Sequence, residues 1–175
     1  MRPRVLVLNG GSSSGKSTLT VALQRVLPGS WLRFSVDTLV DACPPSLLAG
    51  DGLVLAAEVQ VGGEFTAVED AWMAGLALMA ELGTRLLIED NFVSGPAAQQ
   101  RWRTALASVP AAFVGVRCPA AVAARRERAR SDRTAGMAAM QAETVHRNID
   151  YDLELDTARA GPDENAELVR ARFFG

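Results

Sequence analysis

The sequence predicts an α/β protein in which a five-stranded parallel sheet lies between two layers of helices. Short runs of β-branched residues and leucine alternate along the chain with longer segments of helical periodicity. A glycine-rich loop joins the first such run to the first helical segment. The length of 175 residues suits one hydrophobic core. We therefore expect residues 1–175 to form a single domain.

Composition excludes several classes of protein. The hydrophobic fraction of 49% and the charged fraction of 22% are ordinary for a globular chain. No apolar run reaches the roughly 18 residues that a membrane span needs, and the apolar stretch near the start is too short for a signal-peptide core. The net charge of -2, without a basic tail, argues against a nucleic-acid partner. We expect a cytoplasmic protein whose Cys43 and Cys118 are reduced structural thiols.

The first elements follow from hydrophobic patterning. Residues 4–9 are a β-branched and leucine run ending in glycines, which is typical of a fully buried parallel strand. Apolar residues recur at helical spacing over residues 16–27, and a Pro-Gly pair ends that helix. A second strand is predicted at residues 31–36. The next helix should open at Asp37, whose carboxylate can cap the amides of the first turn.

The rest of the chain continues the alternation of strands and helices. Residues 45–63 contain four glycines and are interpreted as a variable insert, either irregular or a hairpin. The remaining predicted elements are a helix at 64–82, a strand at 85–88, a helix at 96–107, a strand at 112–116, helices at 119–131 and 135–148, a strand at 151–155 and a closing helix from 162.

The loop after the first strand carries the strongest functional signal. The run Gly-Gly-Ser-Ser-Ser-Gly-Lys-Ser at residues 10–17 matches the phosphate-loop pattern GxxxxGK[ST], in the required position between a strand and a helix. Lys16, the only lysine beside seventeen arginines, should reach the outer phosphates of a nucleotide, and Ser17 should ligate magnesium. The alternative is a Gly/Ser-rich turn that only caps a helix. The expected ATP-binding residues are Gly10, Gly11, Ser12, Ser13, Ser14, Gly15, Lys16, Ser17 and Thr18.

Acidic residues follow the third strand at the edge where ligands bind in parallel sheets. Glu89 and Asp90 come directly after the apolar residues of that strand. A magnesium ion held by nucleotide phosphates needs such an anionic partner. Asp90 is the first candidate for this role and Glu89 the second. The alternative is that the pair caps a turn with Asn91.

Asp37 is the candidate general base, because it leaves the second strand at the same edge of the sheet and could accept a proton from a substrate hydroxyl. The alternative role for Asp37 is a helix N-cap. Asp41, one turn later, is a helper or a solvated charge.

An arginine-rich segment lies where small phosphate-loop kinases carry a closing lid, here about residues 125–140. Arg130 and Arg133 are the lid candidates that would neutralise migrating charge. Arg125, Arg126 and Arg128 are interpreted as solvated or as residues at the nucleotide's edge. A solvated helix face would explain the same run of charge. His146 has no partner acid at an obvious spacing and is interpreted as structural.

These residues and several less generic phrases resemble the chloramphenicol phosphotransferases, a family that resembles shikimate kinase in fold. The phrases are LNGGSSSGKS at 8–17, VDTL at 36–39, EFTAVEDAW at 64–72, AAQQRWR at 97–103, VGVRC at 114–118, RSDRTAGMA at 130–138 and YDLELDT at 151–157. The resemblance implies a P-loop kinase-like fold, ATP as donor and the primary hydroxyl of chloramphenicol as acceptor, with loss of the drug's action on the ribosome. Its proposed base matches Asp37, and its lid arginines match Arg130 and Arg133. The chain departs from the family pattern at residues 45–63, which are expected to cover the acceptor.

Two further readings stay open. One keeps the kinase chemistry with another small alcohol, such as a sugar, a shikimate-like acid or a different antibiotic. The other is a nucleotide-binding regulatory module without turnover, which would need neither a base nor lid arginines. Asp37 and Arg133 favour an enzyme.

Overall fold

A computed structural model describes residues 2–48, 53–55, 59–129 and 136–175. Strands and helices alternate through most of the described chain. In order they are β1 (Val5–Asn9), α1 (Lys16–Val26), β2 (Trp31–Ser35), α2 (Val36–Ala42), α3 (Pro45–Leu48), β3 (Leu53–Leu55), β4 (Val59–Val61), α4 (Gly63–Glu81), β5 (Arg85–Asp90), α5 (Pro96–Ala105), β6 (Ala111–Arg117), α6 (Ala120–Arg128), α7 (Met137–Thr144), β7 (Leu153–Asp156) and α8 (Pro162–Phe174).

Five of the strands form one parallel sheet in the order β2-β5-β1-β6-β7. This confirms the predicted five-stranded parallel sheet. Strand β1 is central, with β5 on one side and β6 on the other. The loop that follows β1 therefore leaves the middle of the sheet, at the edge where the carboxyl ends of all five strands meet.

Two hydrophobic clusters cover the two faces of the sheet, as the alternation of side chains along a strand requires. Val5 and Val7 of β1 pack in one cluster with buried residues of α4 and α5, including Trp102. Leu6 and Leu8 pack in the other with residues of α1 and α8. The layers are therefore helix, sheet, helix, as predicted.

Several predicted boundaries needed correction; β7, for example, spans Leu153–Asp156 rather than residues 151–155. Strand β5 runs to Asp90 rather than ending at residue 88, because Glu89 and Asp90 still pair with Leu8 and Asn9 of β1. Helix α2 begins at Val36, with the Ser35 side chain as its N-cap, so Asp37 does not open the helix. Helix α7 ends at Thr144 rather than near residue 148.

The variable insert has structure of its own in its described parts. Helix α3 is one turn long, and β3 and β4 form an antiparallel pair, which agrees with the hairpin alternative. Residues 49–52, 56–58 and 130–135 lie outside the described residues. In the part of the chain that the structure describes, no helix has both the length and the apolar character to span a membrane.

Candidate active site

A cleft of about 620 Å³ runs along the carboxyl edge of the sheet. Residues 11–17 of the phosphate-loop segment form its floor. One end, which we call the β2 end, is lined by Val36, Asp37, Val40, Phe65, Glu69 and Arg101. The opposite end, which we call the β7 end, is lined by Arg126, Thr157, Ala160, Pro162 and Asn165.

The close approach of other segments explains why two positions of the loop are glycine. A Cβ atom on Gly10 would lie 2.5 Å from the carbonyl oxygen of Val116, and one on Gly11 would lie 2.9 Å from Cβ of Gln141. Both distances are shorter than a carbon side chain tolerates. Gly15 has a positive φ of 96°, which turns the chain into α1 and which other residues adopt only with strain. The glycines therefore hold the loop tightly curled at the centre of the sheet.

The loop directs polar groups at the cleft. The Oγ atoms of Ser12, Ser13 and Ser14 are buried and have no hydrogen-bond partner among the described residues. The Lys16 Nζ atom donates to the carbonyl oxygens of Gly10 and, at 3.2 Å, Gly11. Buried polar atoms are normally paired, so three unpaired hydroxyls in a loop that lines the cleft mark it as a candidate ligand-binding segment. An anion such as a phosphate suits this set of donors at a helix N-terminus.

Glu89 is the acid that contacts the loop and its helix. The Ser17 hydroxyl donates to Glu89 Oε2 at 2.7 Å, and the Thr20 hydroxyl donates to Oε1 at 2.6 Å. The Arg33 Nε atom lies 3.9 Å from Oε1. Glu89 is only 4% exposed. The structure thus brings together Ser17 and Glu89, two of the three oxygen ligands expected for magnesium.

Asp90, the first candidate from sequence, lines the same cleft but its carboxylate has other partners. Oδ2 accepts from the indole Nε1 of Trp102 at 2.6 Å. Oδ1 accepts from the backbone amides of Asn91 at 2.6 Å and Phe92 at 3.3 Å. These contacts match the turn-capping alternative more closely than a metal site, and they link β5 to α5.

Asp37 lines the same cleft as the phosphate-loop residues, at its β2 end. It is exposed and sits in the first turn of α2, one residue after the start of the helix. The cap is Ser35, whose hydroxyl accepts from the Asp37 amide at 3.2 Å. The N-cap alternative for the Asp37 carboxylate is therefore removed. Asp41 is also exposed but does not line the cleft.

Arg126 has a larger structural role than the sequence indicated. Its Nη2 donates to the Thr157 carbonyl at 2.8 Å, and its Nη1 donates to the Thr157 hydroxyl at 3.0 Å and the Ser14 carbonyl at 3.3 Å. The guanidinium thus ties the phosphate loop to the segment after β7. Arg125 and Arg128 are exposed. The lid candidates Arg130 and Arg133 lie outside the described residues.

A buried acid and a half-buried arginine that line the β2 end were missed in the sequence analysis. Glu69 of α4 pairs with Nη1 of Arg101 on α5, and Arg101 also contacts Asp70 at 2.7 Å and the Thr66 carbonyl at 3.2 Å. Burial raises the pKa of Glu69 above its usual range, although the hydrogen bond from Arg101 opposes this shift. The sequence signal that could have identified Glu69 and Arg101 was their position within the phrases EFTAVEDAW and AAQQRWR.

His146, which we interpreted as structural from the sequence, contacts Tyr151. Its Nδ1 atom is 2.7 Å from the Tyr151 hydroxyl, which also contacts the Asn9 side chain. Asn9 donates in addition to the Val145 carbonyl at 2.8 Å. Burial lowers the pKa of His146 to about 4 and raises that of Tyr151 to about 12, so both groups are neutral near pH 7.

Comparison with known proteins places this site in context. The sequence profile of the family described as chloramphenicol phosphotransferase-like protein matches residues 3–174. Two Mycobacterium tuberculosis proteins, one from each of two strains and both provisionally named O-phosphotransferases, are 29% identical over 184 residues. Those alignments cover 97% of this chain and 82% of each relative.

Solved structures resemble the fold at low sequence identity. The APS kinase of Mycobacterium tuberculosis in complex with AMPPNP and APS has a TM-score of 0.64 at 20% identity, covering 99% of both chains. The tunicamycin resistance protein of Deinococcus radiodurans has a TM-score of 0.69 at 18% identity, covering 98% of this chain and 95% of that one. Shikimate kinase from Acinetobacter baumannii has a TM-score of 0.59 at 13% identity, covering 98% and 93%. The fold is that of P-loop kinases.

Proposed function

Because the chain belongs to the chloramphenicol phosphotransferase-like family, we propose that it transfers the γ-phosphoryl group of ATP to a hydroxyl of a small organic molecule. The primary hydroxyl of chloramphenicol is the acceptor that the family description suggests. The observation that carries the proposal is one cleft lined by the phosphate loop, by Glu89 against Ser17, and by Asp37. This combination supplies a phosphate cradle, a metal ligand set and a candidate base.

The contact between Ser17 and Glu89 orients the donor. In phosphate-loop enzymes the serine of the loop ligates the magnesium that bridges the outer phosphates. Since Ser17 contacts Glu89 on β5, the outer phosphates would face the β2 side of the sheet. The nucleoside would then lie at the β7 end, where Arg126 and Thr157 line the cleft. The acceptor would occupy the β2 end.

The residues present fit a magnesium ion. Mg²⁺ in phosphoryl-transfer sites takes oxygen ligands and uses few protein groups beside phosphates and water. The Ser17 hydroxyl and the Glu89 carboxylate are such ligands, and they already lie 2.7 Å apart. When bound, the ion would neutralise charge on the phosphates. We propose Glu89, rather than Asp90, as the acid that serves it.

Asp37 is proposed as the general base of the reaction. The acceptor oxygen would form a bond to the γ-phosphorus while the bond from that phosphorus to the β-phosphate's bridging oxygen breaks. The hydroxyl proton would pass to the Asp37 carboxylate, and ADP would leave with the electron pair of the broken bond. Lys16 would stabilise the phosphoryl oxygens. We also propose Arg130 and Arg133, on sequence grounds alone, as the residues that close over the phosphates.

A panel of hydroxylated small molecules tests the proposal. The purified chain would be incubated with ATP, Mg²⁺ and one compound at a time, chloramphenicol included. ADP release would be followed continuously, and the products would be weighed by mass spectrometry. We expect acceptor-stimulated ADP release and a product heavier by one phosphoryl group, both absent in Lys16→Ala. ATP binding without acceptor-dependent ADP release would instead support a regulatory nucleotide-binding module.

A further inference from the structure

The distribution of charge along the chain is uneven in a way that bears on the acceptor. Residues 34–84 contain eight Asp and Glu residues and no Lys, Arg or His. The whole chain has 18 Lys and Arg residues among 175, so a stretch of this length would ordinarily contain several. This acidic segment includes α2 and α4, the two helices that contribute Asp37 and Glu69 to the β2 end of the cleft.

The cleft is therefore electrically polarised. Lys16 and Arg126 lie on its floor and at its β7 end. Four carboxylates, those of Asp37, Glu69, Glu89 and Asp90, line the cleft from its centre to its β2 end. Among the described residues that line the β2 end, Arg101 is the only basic one, although Arg33 of β2 lies 3.9 Å from Glu89 without lining the cleft.

Arg101 has little capacity left for a substrate anion. Its guanidinium pairs with Glu69 on one side and Asp70 on the other, and it also donates to the Thr66 carbonyl. One positive charge between two carboxylates leaves the cluster with a net negative charge. An arginine that binds a substrate carboxylate uses its two-pronged donor face for that purpose, and here acids of the protein occupy those donors.

We propose, on the premise of the proposed phosphotransferase function, that the β2 end selects acceptors carrying a protonated amine near the reacting hydroxyl and discriminates against acceptors carrying a carboxylate. The ammonium group would lie among the carboxylates of Asp37 and Glu69. Partly enclosed charges attract more strongly than charges in water, so one favourable contact changes affinity by about three- to thirtyfold. The same carboxylates of the protein would repel an acceptor that carries a carboxylate. The shikimate-like acids are then the disfavoured class.

Two matched series of compounds separate amine, neutral and anionic acceptors. The first comprises 2-amino-1-(4-nitrophenyl)propane-1,3-diol, its N-dichloroacetyl amide chloramphenicol, and its N-succinyl derivative. The second comprises glucosamine, N-acetylglucosamine and N-succinylglucosamine. Each series keeps the same primary hydroxyl and varies the substituent on nitrogen, which changes the charge and also the size of that group; using two series with different acyl groups separates the effect of charge from that of size. Affinities would be measured by calorimetry on the chain saturated with AMPPNP and Mg²⁺.

We expect the amine to bind most tightly and the anion most weakly in at least one series, with at least about a tenfold difference between them. Asp37→Asn and Glu69→Gln should each narrow that difference. Glu81→Gln is the matched control, because it removes one exposed acid at the far end of α4, about 18 Å along the helix from Glu69. It should leave the difference unchanged.

Binding and turnover report on separate claims. An anion that binds as tightly as the amine in both series, or amines that fail to bind in both, overturns the inference. An unchanged difference in both Asp37→Asn and Glu69→Gln also overturns it, and using two variants guards against one that fails to fold. If the affinity order holds but no phosphorylated product forms, the proposed function fails while the charge selection stands.

Discussion

Substitution of the two neighbouring acids of β5 should have opposite consequences, although both changes only replace a carboxylate by an amide. We expect Asp90→Asn to lower stability with little effect on the magnesium requirement. We expect Glu89→Gln to raise the magnesium requirement with little effect on stability. The reason lies in the partners of each side chain.

The partners of Asp90 are all donors. An asparagine keeps one acceptor oxygen, so its NH₂ group must face either the Trp102 indole or the Asn91 and Phe92 amides. Hydrogen bonds to charged groups contribute about 1.5–3 kcal/mol each, and Trp102 is 0% exposed, so a lost bond is not replaced by water. We estimate a loss of about 2–4 kcal/mol, which corresponds to a fall in Tm of roughly 5–15 °C for a domain of this size.

The hydrogen-bond partners of Glu89 are hydroxyls, which can donate or accept. A glutamine can therefore keep both contacts, to Ser17 and Thr20, after the hydroxyls rotate. We expect a stability change within about 1 kcal/mol. The lost negative charge should raise the Mg²⁺ concentration for half-maximal rate by about 10- to 100-fold, the range seen when groups that support a bound metal are removed.

Thermal unfolding without nucleotide and ADP release across a magnesium titration would be measured for both variants and the parent. The reasoning would be refuted if Asp90→Asn kept the parental Tm but needed more magnesium, while Glu89→Gln behaved as the parent. That result would show that Asp90 serves the metal ion and that its hydrogen bond with the Trp102 indole contributes little to stability.

Four further substitutions test other parts of the protein. Lys16→Arg should lose nearly all turnover while Tm stays near the parental value, because a guanidinium cannot replace the slim ammonium between phosphate oxygens; retained turnover contradicts this steric argument. Asp37→Asn should lower turnover by roughly 10² to 10⁴ with ATP affinity and Tm unchanged. Ser35→Ala should instead cost about 0.5–2 kcal/mol of stability through loss of the α2 cap. Parental turnover in Asp37→Asn would show that Asp37 is not the general base. His146 is 7% exposed, and its pKa in the folded protein is about 4. As the pH drops from about 6.5 towards 4, the histidine of the unfolded chain therefore takes up a proton before the histidine of the folded protein does. The free energy of unfolding should fall by about 2–3 kcal/mol over this range. In His146→Gln the Tm should depend less on pH over that range, and an unchanged slope would show that His146 does not contribute.

Much of the fold followed from the sequence because its signals are local. The phosphate loop is recognised from eight consecutive residues, and its position between a buried strand and a helix is read from hydrophobic periodicity. The predicted parallel sheet followed from the alternation of these elements, since parallel strands need helical crossovers. The extension of β5 to Asp90 was missed because strand pairing, not hydrophobicity, holds its last two residues.

The assignment of roles within the site depended on contacts between distant segments. Glu89 and Asp90 are adjacent in sequence, and neighbouring side chains of a strand point to opposite faces of the sheet. Glu89 shares its face with Leu87 and meets α1, whereas Asp90 shares its face with Ile88 and meets Trp102 of α5. Which helix covers which face is set by the handedness and order of the crossovers.

The same reason explains why the arginines could not be ranked from sequence. Arg126 reaches Ser14 and Thr157, and Arg101 reaches Glu69 from a different helix. Spacing along one helix predicts which side chains share a face but not what that face meets. The sequence by itself determined that a nucleotide phosphate loop joins a buried strand of a parallel sheet to the helix that follows it. Only the tertiary structure decided which acid meets the loop and which arginine is already neutralised, because those contacts form between elements far apart in the chain.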